Sequence, residues 1–260
     1  ASMSNFHSLS VNVPEKQLGT KTITTNGTYN ASDDNLDGYS EVEVATSGVD
    51  INEYLSDTIT KGTSSSAGWL KTILKLRSPL TVEGTSAEFM FYKYLLNELP
   101  QLDTSNVKNM TSMFDGCSNL TTIPQIDTSN VTRMDQMFYN CTNLTTIPQI
   151  DTSMVGSMIY MFGHCSNLTT IPQIDTSSLG NIAYMFYNCT NLTTIPQLNG
   201  EKIGTLSSTF NGCKSLENFN GLINLGQAYQ TSQSANYNNY KLSLISSNKL
   251  THDSLMNVIN

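Results

Sequence analysis

Charge is what this chain has least of. Asp, Glu, Lys and Arg make up only 13% of its 260 residues, and 13 basic side chains face 21 acidic ones for a net charge of −8. A surface so short of charge is covered by neutral polar residues, here Ser, Thr, Asn and Gln. The lack of a basic excess argues against nucleic acid as a partner, because a phosphate backbone is held by clustered Lys and Arg. Long apolar runs are also missing. None approaches the roughly 18 residues of a membrane-spanning helix, so membrane insertion is not expected. The three histidines, His7, His164 and His252, are scattered. No Gly-rich phosphate loop, Ser/His/Asp grouping or metal-ligand spacing accompanies them, so neither catalysis nor a metal or cofactor is expected. No signal peptide is visible, and Ala1-Ser2-Met3 reads as a cloning remnant ahead of a start.

What the chain does have is a repeat. From about Leu99 to Leu222 it recurs with a period of 24 residues. Cysteines fall at Cys117, Cys141, Cys165, Cys189 and Cys213, and phenylalanines three residues earlier, at Phe114, Phe138, Phe162, Phe186 and Phe210. Prolines fall at Pro100, Pro124, Pro148, Pro172 and Pro196. A fixed period of this length is the signature of a solenoid. Within one unit, Leu120, Ile123 and Ile126 alternate with Thr121, Thr122 and Gln125, which suits a short strand. Val131, Met134, Met137, Phe138 and Cys141 share a narrow arc at helical spacing, which predicts a short amphipathic helix. Asp127-Thr128-Ser129 stands where its N-cap would be, and the aspartate recurs at Asp103, Asp151 and Asp175. Stacked copies would pair their strands in parallel at about 4.8 Å and line up identical residues in columns.

These units resemble the BspA-like leucine-rich repeats of bacterial surface proteins, through Asn-Leu-Thr-Thr-Ile, Asp-Thr-Ser-Asn-Val and Met-Phe-Tyr-Asn-Cys across residues 99–222. The Leu-Thr-Thr-Ile-Pro-Gln-Ile segment is about two residues shorter than the commoner form. The resemblance implies an α/β solenoid of 24-residue leucine-rich repeats, each a short parallel strand plus a short helix, in surface proteins some of which adhere. It implies no particular ligand.

The cysteines form no Cys-x-x-Cys pair and lie on the buried arc, so they read as reduced packing residues, too far apart between coils for disulfides. Asn119, Asn143, Asn167 and Asn191 each begin an Asn-Leu-Thr sequon. Glycans do not fit on one such column, which argues against a eukaryotic secretory origin and for a bacterial or phage one.

Residues 1–48 read as a small β module. Ser8–Val13 alternates as a strand, Asn26-Gly27 marks a hairpin, and Tyr39–Ala45 alternates again. The run from Thr22 to Ala31, with Asp37-Gly-Tyr-Ser40, resembles a module of phage structural and Gram-positive surface proteins. Asp33, Asp34 and Asp37 lack full calcium-loop spacing and read as a solvated turn. Residues 49–98 read as an N-terminal cap and degenerate first repeat. Ile51 to Thr60 is expected as a short helix, Trp69 as a plug, and Phe89, Leu96 and Leu99 one period before Met113, Leu120 and Ile123. Residues 223–260 read as a C-terminal cap, with a last strand at Tyr240–Leu244 and a helix capped by Thr251. The chain stops inside that helix, as expected if the natural protein continues.

Two faces are candidates for binding. On the first, predicted to face outwards from the helix half, Tyr139, Ile159, Tyr160, His164, Tyr184 and Tyr187 would form an aromatic patch, unless they are ordinary convex surface. On the strand face, Thr121, Gln125, Thr145, Gln149, Thr169 and Gln173 present hydroxyls and amides, or simply solvated strand. The expected partner is a protein or glycan on a cell surface. The expected setting is the outside of a bacterial cell or a virion. A passive spacer in a phage tail or fibre, and a phage-carried intracellular inhibitor, are the alternatives.

Overall fold

The computed structural model describes residues 18–25, 27–29, 36, 39–45, 49–51, 73–76, 80–82, 84–219 and 222–223. Expectations for Ser8–Val13, Asp33, Asp34, Asp37, Trp69, residues 52–60 and the cap beyond Ile223 lie outside them, as do His7 and His252.

The chain winds as a parallel-stacked solenoid. Ser86, Asn109, Arg133, Ser157, Asn181 and Thr205 bridge in series, each parallel to the next. Short strands reinforce the stack: β6 (Leu80–Thr81) on β7 (Leu102–Asp103), β8 (Thr194–Ile195) on β10 (Asn218–Phe219), and β9 (Leu198–Asn199) on β11 (Leu222–Ile223). The N-terminal strands follow the same rule. β1 (Leu18–Ile23) pairs in parallel with β3 (Tyr39–Val44), which pairs with β5 (Ile73–Leu76). β2 (Gly27–Tyr29) pairs in parallel with β4 (Val49–Ile51). The Asn26-Gly27 hairpin is therefore not formed: β1 and β2 each choose a later strand, and not one another.

The expected helix is absent as well. Among the described residues there is no α-helix, and the half-repeat runs as consecutive tight turns. Its hydrogen bonds explain why. Met113, Asp115 and Cys117 donate to Met110, Ser112 and Phe114, three residues back. The alternate amides of Met110, Ser112, Phe114 and Gly116 donate instead to Arg133, Asp135, Met137 and Tyr139 of the next coil. A helix would consume all of these donors internally; this backbone spends half of them on stacking. A chain of such turns brings an inward position round every three or four residues, as a helix does, so the apolar spacing is the same.

The turns need left-handed residues. φ is +52 to +58° at Ser112, Gln136, Tyr160, Tyr184 and Ser208, and +57 to +62° at Asn140, His164 and Asn188, with Gly116 and Gly212 at +77° and +82°. The second column reads Gly, Asn, His, Asn, Gly, the residue types that tolerate this region best.

The core is a set of columns. Rings of Phe91, Phe114, Phe138, Phe162, Phe186 and Phe210 stack at 5.5–5.9 Å with interplanar angles of 7–10°. Each cysteine thiol donates to a phenylalanine carbonyl of the preceding coil, as Cys141 does to Phe114 at 3.1 Å. All five cysteines are buried and free. The separation argument against disulfides does not hold in a stack this close; the thiols are each committed to a carbonyl. Burial is the main cause that pushes them up, Cys213 to about 12. Buried Thr128 bridges coils on its own, donating to the Asp151 carbonyl and accepting from the Asp151 amide, both at 2.8 Å.

Candidate binding face

The turn-rich half of each coil leaves three positions facing out, and the central coils fill them with rings. Tyr160 and Tyr184, one coil apart, stack at 4.5 Å and 9°. Tyr139 stands edge-on to Tyr160 and to His164, both at 5.4 Å. Tyr187 stands edge-on to His164 at 5.3 Å and to Tyr184 at 5.7 Å. All five are half-buried. Ile159 lies beside them, its amide donating to the Asp135 carboxylate at 2.9 Å. The five aromatic residues singled out from the sequence are thus brought to one face, although on turns and not on a helix. Burial, then the charge of Asp115, raises the Tyr139 phenol; burial and the neighbouring phenols raise Tyr160.

Gly163 makes this arrangement possible. A Cβ there would lie 2.8 Å from Tyr139 Cδ2 and 3.0 Å from Tyr160 Cδ1. In the column where Tyr139 and Tyr187 carry rings, the glycine leaves the space into which Tyr139 leans.

The same face carries residues that sequence reasoning missed. The first coil is one residue short, so its positions stand 23 residues before their successors: Phe91 stacks on Phe114, and the Lys93 amide donates to the Asp115 carbonyl. Phe89 is therefore not the core counterpart of Met113. It has φ +56°, is 44% exposed, and packs edge-on against Tyr92 at 5.5 Å. A strict count of 24 concealed this; the offset from Phe91 to Phe114 was the signal. Between these rings and Tyr139 lies the coil of Ser112 and Asp115, both buried.

The strand face is organised differently. Gln101, Gln125, Gln149 and Gln173 each donate from Nε2 to the glutamine carbonyl one coil on, at 2.6–2.8 Å. Thr145 and Thr193 hydroxyls donate to the carbonyls of Thr121 and Thr169 at 3.2 Å. Asn167 and Asn191 amides reach back to Asn143 and Asn167. Asp103, Asp127, Asp151 and Asp175 each accept the amide two residues on, a turn closure where a helix cap was expected. Hydrogen bonds from the following serine hold all four carboxyls below their usual range. An open groove of about 620 Å³ runs between Gln149, Gln173 and Gln197 on one side and Asp151 and Asp175 on the other. Gln149 and Gln173 spend their side-chain donors in the stack, so along them the groove offers mainly acceptor oxygens. Among the described residues no group of three His, Cys, Asp or Glu could hold a metal ion, and no helix is long and apolar enough to cross a membrane.

A solenoid of coils that share their core columns and differ on one aromatic face defines a repeat protein. The chain belongs to the family described as "Mycoplasma protein of unknown function, DUF285", whose model matches residues 84–194 and 117–224, together more than half of it. No curated protein matches it. Among solved structures, a leucine-rich repeat protein from Eubacterium ventriosum is similar at 17% identity and a TM-score of 0.38, over 72% of this chain. The chain spans 43% of that protein.

Proposed function

We propose that this protein is a non-enzymatic binding module of a bacterial surface or phage structural protein, engaging a protein or glycan on a cell surface through the turn-side face of its solenoid. The observation that supports this reading is the continuous cluster of Tyr139, Tyr160, His164, Tyr184 and Tyr187. Five half-buried rings, one pair stacked and the others edge-on, held on a hydrogen-bonded stack are rigid, apolar in body and polar at the rim. Such rings contribute contact area at little cost in side-chain entropy. The cluster is also where the repeats depart from one another, while the core columns stay the same.

The test is binding of labelled protein to a panel of bacterial cells and extracellular matrix proteins, beside a Tyr160→Ala/Tyr184→Ala variant of unchanged melting temperature. Saturable binding lost by the variant is the expected result. Binding that the variant retains moves the site to the strand face. A tolerant variant with no binding anywhere is the result a passive spacer would give.

A further inference from the structure

The closest ring contact among the described residues is on the outer face and not in the core. Tyr160 and Tyr184 lie one coil apart in one column, with centroids 4.5 Å apart and planes 9° from parallel. Every other ring pair of the cluster is edge-on, at 5.3–6.3 Å. The two backbones match, with φ at +55° for Tyr160 and +58° for Tyr184. The Tyr160 amide donates to the Ala183 carbonyl at 3.1 Å, so a main-chain bond beside the pair holds the two coils in register. Both rings are half-buried, and solvent reaches them.

A phenol that loses one electron and its proton becomes a phenoxyl radical. Its unpaired spin lies partly on the ring carbons next to the oxygen, and two such radicals couple through those carbons. Stacked rings set these carbons against one another, whereas an edge-on pair turns the C–H bonds of one ring into the face of the other. Competing side chains are out of reach or give other products. All five thiols are buried. Met154, 55% exposed, takes up oxygen to form a sulfoxide and no cross-link.

We propose that Tyr160 and Tyr184 are an oxidative cross-linking site, joined by a carbon–carbon bond between the ring carbons next to their hydroxyls when the protein meets hydrogen peroxide and a peroxidase. Each ring gives up the hydrogen on that carbon, and one bond forms between the rings. Two electrons and two protons reduce one peroxide to two waters, and both hydroxyls are kept. The rings leave their stack on coupling by turning about their side-chain bonds, a motion open to half-exposed side chains. The link closes a loop of one 24-residue period and fastens one coil to the next, which constrains the unfolded chain. The site stands whether or not the face binds a partner.

The test exposes the full chain, folded and dilute, to hydrogen peroxide and a haem peroxidase, then unfolds it and cleaves it before aspartate. Cleavage before Asp151 and Asp175 places Tyr160 and Tyr184 on separate fragments. The expected product is a joined fragment with the summed mass of the two less two hydrogens, carrying the blue fluorescence of dityrosine. Phenylalanine keeps the ring and removes the hydroxyl, so Tyr160→Phe and Tyr184→Phe should each lose the joined fragment at an unchanged melting temperature. Tyr187→Phe, which alters an edge-on neighbour, should keep it. A joined fragment that survives Tyr184→Phe, a yield that rises with protein concentration and so reports links between chains, or methionine sulfoxide as the sole product overturns the proposal.

Discussion

Single residues carry two kinds of free energy in this stack, and they respond to different perturbations. Phe162 sits at the middle of the ring column, fully buried between Phe138 and Phe186. Phe162→Ala should cost about 3–5 kcal/mol, since the cavity lies between two rigid neighbours that cannot close it. A chemical melt showing almost no loss would reject the inward column. Asp115 acts through protonation. Its folded carboxyl titrates near 7, above an unfolded value of about 4. The native state therefore holds the extra proton between those values, and stability falls as pH rises from about 4 to 7, by an amount on the order of a few kcal/mol. Asp127, Asp151 and Asp175 have the opposite sign: their serine bonds stabilise the fold above about pH 4 and are lost as pH falls through their lowered values. Thermal melts should thus peak near pH 4–5. Asp115→Asn should flatten the decline towards pH 7 and leave the acid limb in place; a decline of unchanged size would remove Asp115 as its cause.

At the scale of the element, turns replace helices. The far-UV circular dichroism should carry no helical signal from residues 84–219, and a helix content larger than the remaining residues can hold would contradict the turn assignment. The cysteine column follows from the same geometry. Every thiol is buried and pointed at a carbonyl one coil back, and burial raises the thiols above their usual range. None should react with a disulfide reagent until the chain unfolds, and then all five should react; fast labelling of any one in native buffer would place it outside the core. Much of this organisation was legible from the period alone. The columns of Phe, Cys, Leu and Ile, the parallel stacking and the membership of the tyrosine face all follow from counting 24. The turn backbone was not legible that way, because successive tight turns bury the same three- and four-residue spacing as a helix. The Gly116, Asn140, His164, Asn188, Gly212 column held the missing signal: a repeat that keeps returning to residues tolerant of positive φ is not helical there. Likewise the parallel N-terminal strands hid behind an Asn-Gly pair, since a strong turn signal does not determine which strand comes to lie alongside.

Among the described residues of the repeat, the hydrogen bonds between coils join each coil to its neighbours, and the same bonds recur from coil to coil. Glutamine amides, threonine hydroxyls, thiols and alternate main-chain amides all reach one coil away and no further. Stability in such an array is close to a sum of coil and interface terms. Removing residues 143–166, one full period, should therefore leave a folded chain in which Cys141 and Thr142 continue into Asn167 with every column in phase. Thermal melting should remain a single transition at a somewhat lower temperature. A 12-residue excision should not fold, because it sets outward residues against inward ones. The full-period deletion also removes Tyr160, Gly163 and His164 together, leaving Tyr139 directly against Tyr187. It should therefore abolish binding through the tyrosine cluster. Loss of folding on removing one period would mean that the coils are not interchangeable and that the central one holds the others in register.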